Sequence, residues 1–224
     1  RHVPLGDQLD APPPPDYSRG AWRARFGVAP DTPLVAHFGL INQSKGVREL
    51  VRALTELPDA HLLLIGETLG GADPTNAAYL DAVRTDVERL GPASRVHWTG
   101  YVTPPELSGW LATADAVALP FLDGATLRRT SLITAWRRGV PVITTEPPGP
   151  AEWRSSPPGS DAARYVPAGD VDALAAALRD VLASPARRAS LAQNGREFGE
   201  RFSWPSVIAQ TLAVYEAALS VRRA

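Results

Sequence analysis

From Leu34 onward, short apolar runs alternate with amphipathic stretches, and this alternation confines the chain to very few architectures. Leu34 to Phe38 reads as a buried strand; Val47, Leu50, Val51 and Leu54 then recur at helical spacing until Pro58 ends them. His61 to Gly66 is a second strand, followed by a glycine loop and a helix marked by Tyr79, Leu80, Val83, Val87 and Leu90. Arg95 to Gly100, Ala116 to Pro120, Pro141 to Thr145 and Arg164 to Val166 supply four more strands. Helices are expected from Glu106 to Ala114, Ser131 to Arg138 and Val171 to Leu182, with two more closing the chain around the break at Phe202 to Pro205. Strands separated by helices pair in parallel through right-handed crossovers. The expected fold is therefore α/β: a doubly wound, mainly parallel sheet with helices on both faces.

Ahead of that pattern the run Pro12 to Pro15 is a stiff extended segment, and Tyr17 to Phe26 can make one short helix before Pro30 and Pro33. Residues 1–32 read as a linker entering one domain over residues 33–224. The chain opens without Met and in mid-phrase, as a piece of a longer polypeptide would. Its net charge of −1 offers no basic excess to hold nucleic acid. With no cysteine there is neither a disulfide framework nor a thiolate metal site. No apolar run approaches the roughly 20 residues that cross a bilayer. A soluble, cytoplasmic protein is expected, with a peripheral membrane location of the full-length polypeptide left open.

Ligands of such sheets bind beyond the carboxyl ends of the strands, and the unusual residues gather there: Gly39 to Gly46, Gly66-Glu67, Gly100 to Val102, Asp123 to Ser131 and Glu146 to Glu152. Lys45 stands out as the only lysine, in a chain that writes every other cation as arginine. A compact ammonium at a strand-loop-helix junction suits a phosphate, although a surface residue that escaped a compositional bias looks the same. Neither a Walker loop nor a Gly-x-Gly-x-x-Gly fingerprint is present. A pyrophosphate would instead meet the Gly39 amide, Lys45 and the N-terminus of a later helix.

That helix follows Asp123 to Ser131, where Thr130 or Ser131 can cap it and Arg128 and Arg129 add two forks for phosphate oxygens. The alternative is a solvated loop whose arginines pair with carboxylates. Tyr101 and Val102 offer a flat face and backbone edges to a nucleobase, or else Tyr101 is a half-buried aromatic at a strand end. Asp170 and Asp172 spell a metal-like pair but precede an apolar helix, so capping is expected. The four histidines show no metal-ligand spacing, and His37 reads as a satisfied core residue. No metal is expected.

The order of phrases along the chain resembles the C-terminal, donor-binding half of a group 1, family 4 glycosyltransferase of the two-Rossmann-domain (GT-B) type. The matching phrases are Val3 to Gly6, Phe38-Gly39 with Ser44-Lys45-Gly46, Leu64 to Gly66, Trp98 to Val102, Ala114 to Pro120, Arg138 to Ile143, Val166 to Asp170 and Phe202 to Trp204. The resemblance implies a nucleotide-diphosphate sugar as donor substrate, no cofactor, and an acceptor (saccharide, lipid-linked or small molecule) held by an N-terminal domain missing here. It implies hexose transfer to a hydroxyl with retention of anomeric configuration, by front-face attack assisted by the donor's own phosphate.

Carried across, Gly39, Lys45, Gly66, Glu67 and Ser131 fall on the donor side, Tyr101 and Val102 on the base, and Glu152 on the family's Gly-Gly-x-x-Glu phrase. Two departures stand out. Leu40 replaces an arginine, and Thr126 and Thr134 fall where paired glutamates are expected. Asp123 is the candidate for the sugar-hydroxyl role, and Arg128 or Arg129 for the cation lost at Leu40. The missing glutamates also fit a non-catalytic module that binds a nucleotide sugar or a partner. The closing helix, Ser206 to Leu219, is expected to pack against the missing half and to expose apolar surface without it.

Overall fold

Side chains alternate across each strand, and in this chain both faces are apolar, so the sheet must be covered on both sides. The computed structural model describes residues 3–9, 11–66, 74–149 and 161–221. Its strands are β1 (Leu34–Phe38), β2 (His61–Ile65), β3 (Val96–Trp98), β4 (Ala116–Leu119), β5 (Val142–Thr145) and β6 (Arg164–Val166). They form one parallel sheet in the order β3-β2-β1-β4-β5-β6. The helices are α1 (Arg19–Ala24), α2 (Val47–Thr55), α3 (Pro74–Arg89), α4 (Pro104–Thr113), α5 (Thr130–Arg137), α6 (Val171–Ala183), α7 (Pro185–Gly199) and α8 (Trp204–Val221).

On one face Val35, Leu62, Leu64, Ala118 and Ile143 meet α2 through Leu50 and Leu54, α3 through Leu80 and Val83, and α6 through Leu174 and Leu178. On the other, Leu34, Ala36, Leu63, Val117 and Val142 meet α4 through Trp110 and Leu111 and α5 through Ile133 and Trp136. This is the expected doubly wound α/β sheet. Because the strand order reverses between β1 and β4, a crevice opens beyond their carboxyl ends.

Local chemistry sets the boundaries. Asp170 caps α6 by accepting the Ala173 amide at 2.9 Å, so the Asp170/Asp172 pair serves the helix as expected. The third strand is shorter than its apolar pattern. Ala93–Arg95 forms a tight turn, and Arg95 donates to the Leu57 and Ala60 carbonyls at 2.9 and 2.6 Å.

The segment ahead of β1 lies on the domain. Leu9, Trp22 and Val28 belong to the second core, and buried Asp7 accepts the Thr134 hydroxyl at 2.7 Å while its own amide donates to the Phe202 carbonyl at 2.9 Å. No helix among the described residues is long and apolar enough to cross a membrane.

Candidate functional site

The loop after β1 approaches the end of β4 closely enough that only glycine fits at position 46. Gly46 has φ +63°, and a Cβ there would stand 2.0 Å from the Pro120 carbonyl oxygen. The Leu122 amide then donates to the Ser44 carbonyl at 2.9 Å, closing the turn Gln43–Lys45 over β4. Lys45 is thereby delivered to Phe121, with its Nζ 5.1 Å from the ring centroid.

A second cation shares that ring. The Arg129 guanidinium lies 4.6 Å from the Phe121 centroid and pairs with the Asp123 carboxylate. Each contact is a cation–π attraction, stronger where water is excluded. Burial lowers the Lys45 ammonium from its ordinary pKa, the Arg129 charge lowers it further, and Asp123 opposes both. Lys45 forms no ion pair within 4.0 Å with a described residue. Among the described residues the cluster around Phe121 therefore carries a surplus of positive charge.

Arg129 is also the residue that precedes α5. Its extended backbone starts the helix at Thr130, and no side chain caps it. This corrects the expectation that Thr130 or Ser131 would cap: Ser131 lies inside the first turn, 8% exposed, and its Oγ has no hydrogen-bond partner among the described residues. The first amides of α5 thus carry their partial positive charge uncapped beside Arg129. Arg128 is exposed on the same loop, and its amide leans on the Thr126 hydroxyl at 3.4 Å.

Beside this cluster Gly39, Leu40, Gly66, Tyr101 and Val102 line one cavity of about 340 Å³, floored by Phe38, Ile65 and Leu107. Tyr101 is 70% exposed, so its ring is a wall open to solvent rather than a half-buried core residue. A capping box fixes the loop behind it, with Thr103 amide and hydroxyl both donating to Glu106 at 2.8 Å. The glycine amides are partly engaged: Gly39 donates to the Ile65 carbonyl at a long 3.4 Å, and Gly66 to the Thr99 hydroxyl at 3.1 Å. With Leu40, Phe38, Ile65, Val102 and Leu107 in its lining, this cavity is mostly apolar.

His37 is the expected core histidine on one nitrogen only. Its Nδ1 lies 2.9 Å from the Ala118 carbonyl, whereas its buried Nε2 has no partner among the described residues. Burial pushes its pKa down to about 4, so the ring is neutral. Glu67 and Glu152 lie outside the described residues. Among those described, no group of three or more His, Cys, Asp or Glu could hold a metal.

The residues fall into two neighbouring sets at the carboxyl ends of the strands. Lys45, Asp123 and Arg129 gather around Phe121, and Gly39, Gly66, Tyr101 and Val102 gather around the cavity. Phe121 is the member that motif reasoning overlooked. The one signal available was an aromatic directly after the apolar run Ala116 to Pro120, at the position where a strand hands over to a ligand loop.

Known proteins show the same outline. The family profile described as "Glycosyl transferases group 1" matches residues 32–184. The chain is 33% identical, over 99% of its length and 52% of the relative's, to a D-inositol 3-phosphate glycosyltransferase of Xylanimonas cellulosilytica. It is 31% identical, over 91% of its length and 52% of the relative's, to a GDP-mannose-dependent α-(1-6)-phosphatidylinositol monomannoside mannosyltransferase of Mycolicibacterium smegmatis. Among solved structures, sucrose-phosphate synthase of Thermosynechococcus elongatus superposes with a TM-score of 0.80 at 26% identity, covering 99% of this chain and 53% of that one. The chain thus spans about half the length of the relatives it matches.

Proposed function

The chain belongs to the group 1 glycosyltransferase family, and from that premise we propose that it is the half that binds a nucleotide-diphosphate sugar. The observation that carries this is the shared platform: two cations, Lys45 and Arg129, on one face-forming ring at the point where the strand order reverses. Two like charges on one ring repel; Asp123 pairs with Arg129 alone, and a pyrophosphate would answer both cations. The uncapped start of α5, with Arg128 exposed beside it, adds amides and a further fork. The nucleobase would lie in the adjoining cavity against Tyr101 and Val102, with Gly39 and Gly66 letting it approach backbone. GDP-mannose in the name of one relative supports a nucleotide sugar as the class of donor.

In this proposal Lys45 and Arg129 hold the pyrophosphate and Asp123 receives a sugar hydroxyl. A hexose passes to a hydroxyl of an acceptor presented by a facing N-terminal half, with retention of configuration. The phosphate leaving with its charge neutralised by Lys45 and Arg129 is the part of the chemistry these residues supply. Orientation of donor against acceptor needs the facing half, so the 224-residue chain should bind donor but not transfer sugar.

The test is a calorimetric titration of the chain with uridine and guanosine diphosphates, repeated on Lys45→Ala. Binding that weakens by about tenfold or more in the variant, the loss expected of one charge-assisted phosphate contact, supports the proposal. Equal binding by both forms removes Lys45 from the site, and no binding by either discards the nucleotide altogether. Thr134 favours a second possibility: it stands where a glutamate is expected and its hydroxyl is spent on Asp7. A non-catalytic module of this kind would bind the nucleotide sugar yet show no turnover in the complete polypeptide.

A further inference from the structure

Asp123 and Arg129 face each other across a turn that is held rigidly. Gly124 has φ +83°, and a Cβ there would stand 2.7 Å from the Glu146 carbonyl oxygen and 2.9 Å from the Pro148 nitrogen. Its amide donates to the Phe121 carbonyl at 3.2 Å, and the Ala125 amide reaches the Glu146 carbonyl at 3.3 Å. The turn is thus pinned to the end of β5.

The two partners differ in environment. The Arg129 side chain is 19% exposed and its guanidinium carbon lies 4.6 Å from the Phe121 centroid, whereas the Asp123 side chain is 57% exposed. An exposed carboxylate returns to water at little cost, but a guanidinium stacked on a ring stays where it is. The pair is therefore asymmetric: the acid can leave and the base cannot. Arg129 is also the phosphate cation whose charge is already paired with Asp123, while Lys45 has no ion-pair partner among the described residues.

We propose that Asp123 and Arg129 form an exchange pair, in which an arriving pyrophosphate displaces the Asp123 carboxylate from Arg129. Arg129 then becomes the second phosphate cation, standing in for the arginine that Leu40 replaces, and the freed carboxylate turns to a hydroxyl of the sugar. The proposal rests on the nucleotide-sugar assignment of this site and adds a rule to it. Asp123 competes with the diphosphate and cooperates with the sugar.

Direct titration with uridine and guanosine diphosphates tests this rule. Asp123→Asn keeps the side chain's size but removes the competing charge, and should tighten the nucleoside diphosphate by about threefold to tenfold, the span of an exposed ion pair plus a relieved neighbouring charge. Arg129→Gln should weaken it by about tenfold. The double variant should lie close to Arg129→Gln, keeping only the small gain from removing the Asp123 charge that faces Lys45, because Asp123 then has no guanidinium to mask. In the complete enzyme, Asp123→Asn should lose turnover although its diphosphate affinity has risen.

Unchanged or weaker diphosphate binding in Asp123→Asn, with Asp123→Ala behaving alike and both variants melting as the parent does, overturns the exchange. Additive single-variant effects in the double variant overturn it equally. If the parent binds and Lys45→Ala does not, while Asp123→Asn changes nothing, the exchange alone fails and the site stands. If the parent binds neither diphosphate, both fail.

Discussion

At Gly46 a single hydrogen atom decides where the cation goes. A methyl group in its place would meet the Pro120 carbonyl at 2.0 Å in a backbone conformation with φ +63°. Gly46→Ala should therefore push the turn Gln43–Lys45 off β4, cost about 1–3 kcal/mol of stability and weaken nucleotide binding more than proportionately. Denaturant melts and titration with guanosine diphosphate check the two effects, and a variant that is destabilised yet binds normally would separate Lys45 from its loop. Lys45 was legible in the sequence because it is alone of its kind. Phe121 was not, because one aromatic after an apolar run carries no periodic mark and its meaning comes only from the two cations folded onto it. Asp123 and Arg129 were each legible as charges, and pairing of this loop's arginines with carboxylates was one of its two readings; which arginine meets which carboxylate was not legible, since spacing in an irregular turn does not fix it.

At the scale of elements the alternation of apolar runs was sufficient for the sheet and its helices, since each run is long enough to state its own period. Where single side chains set a boundary, the pattern was silent. Arg95 turns toward two carbonyls and shortens β3, and extended Arg129 starts α5 one residue early with no cap.

Between β2 and β3 the rings of His61 and His97 stand with Nδ1 and Nε2 2.8 Å apart, and Phe26, just beyond α1, stacks on His97 at 5.2 Å. Burial and then the neighbouring His61 push the pKa of His97 down to about 4, as burial does for His37. Both folded values lie below the ordinary 6.5, so the unfolded chain binds protons first. Their stabilisation is complete above pH 6.5 and is lost as the pH falls toward 4. For fully buried His37 the loss is about 3 kcal/mol at most. Urea melts at neutral pH and near the acid end should show that fall, and His97→Gln should reduce it; identical midpoints at the two pH values would refute the assignment.

For the whole molecule, α8 is the element least accounted for by its own domain. Trp204, Ile208, Leu212, Tyr215 and Leu219 are all about half exposed or more, at intervals of four, four, three and four. The helix has one charged residue, Glu216, across its 18 positions. Such a stripe has the spacing of a helix face suited to pack against another body, and the sequence anticipated exposed apolar surface there. Replacing Ile208 and Leu212 together by Glu should lower self-association of the chain, read as a smaller weight-average mass in light scattering at high concentration. No change in mass would mean that the stripe drives no association.

A different consequence follows from Asp7. Its carboxylate holds Thr134 in the middle of α5, and its amide holds Phe202 just ahead of α8. Gly6 meanwhile lies against the indole of Trp204, where a Cβ would come within 3.0 Å. The first few residues are thus fastened both to the helix that begins beside Arg129 and to the start of α8, so the segment entering the domain is anchored to it at two points.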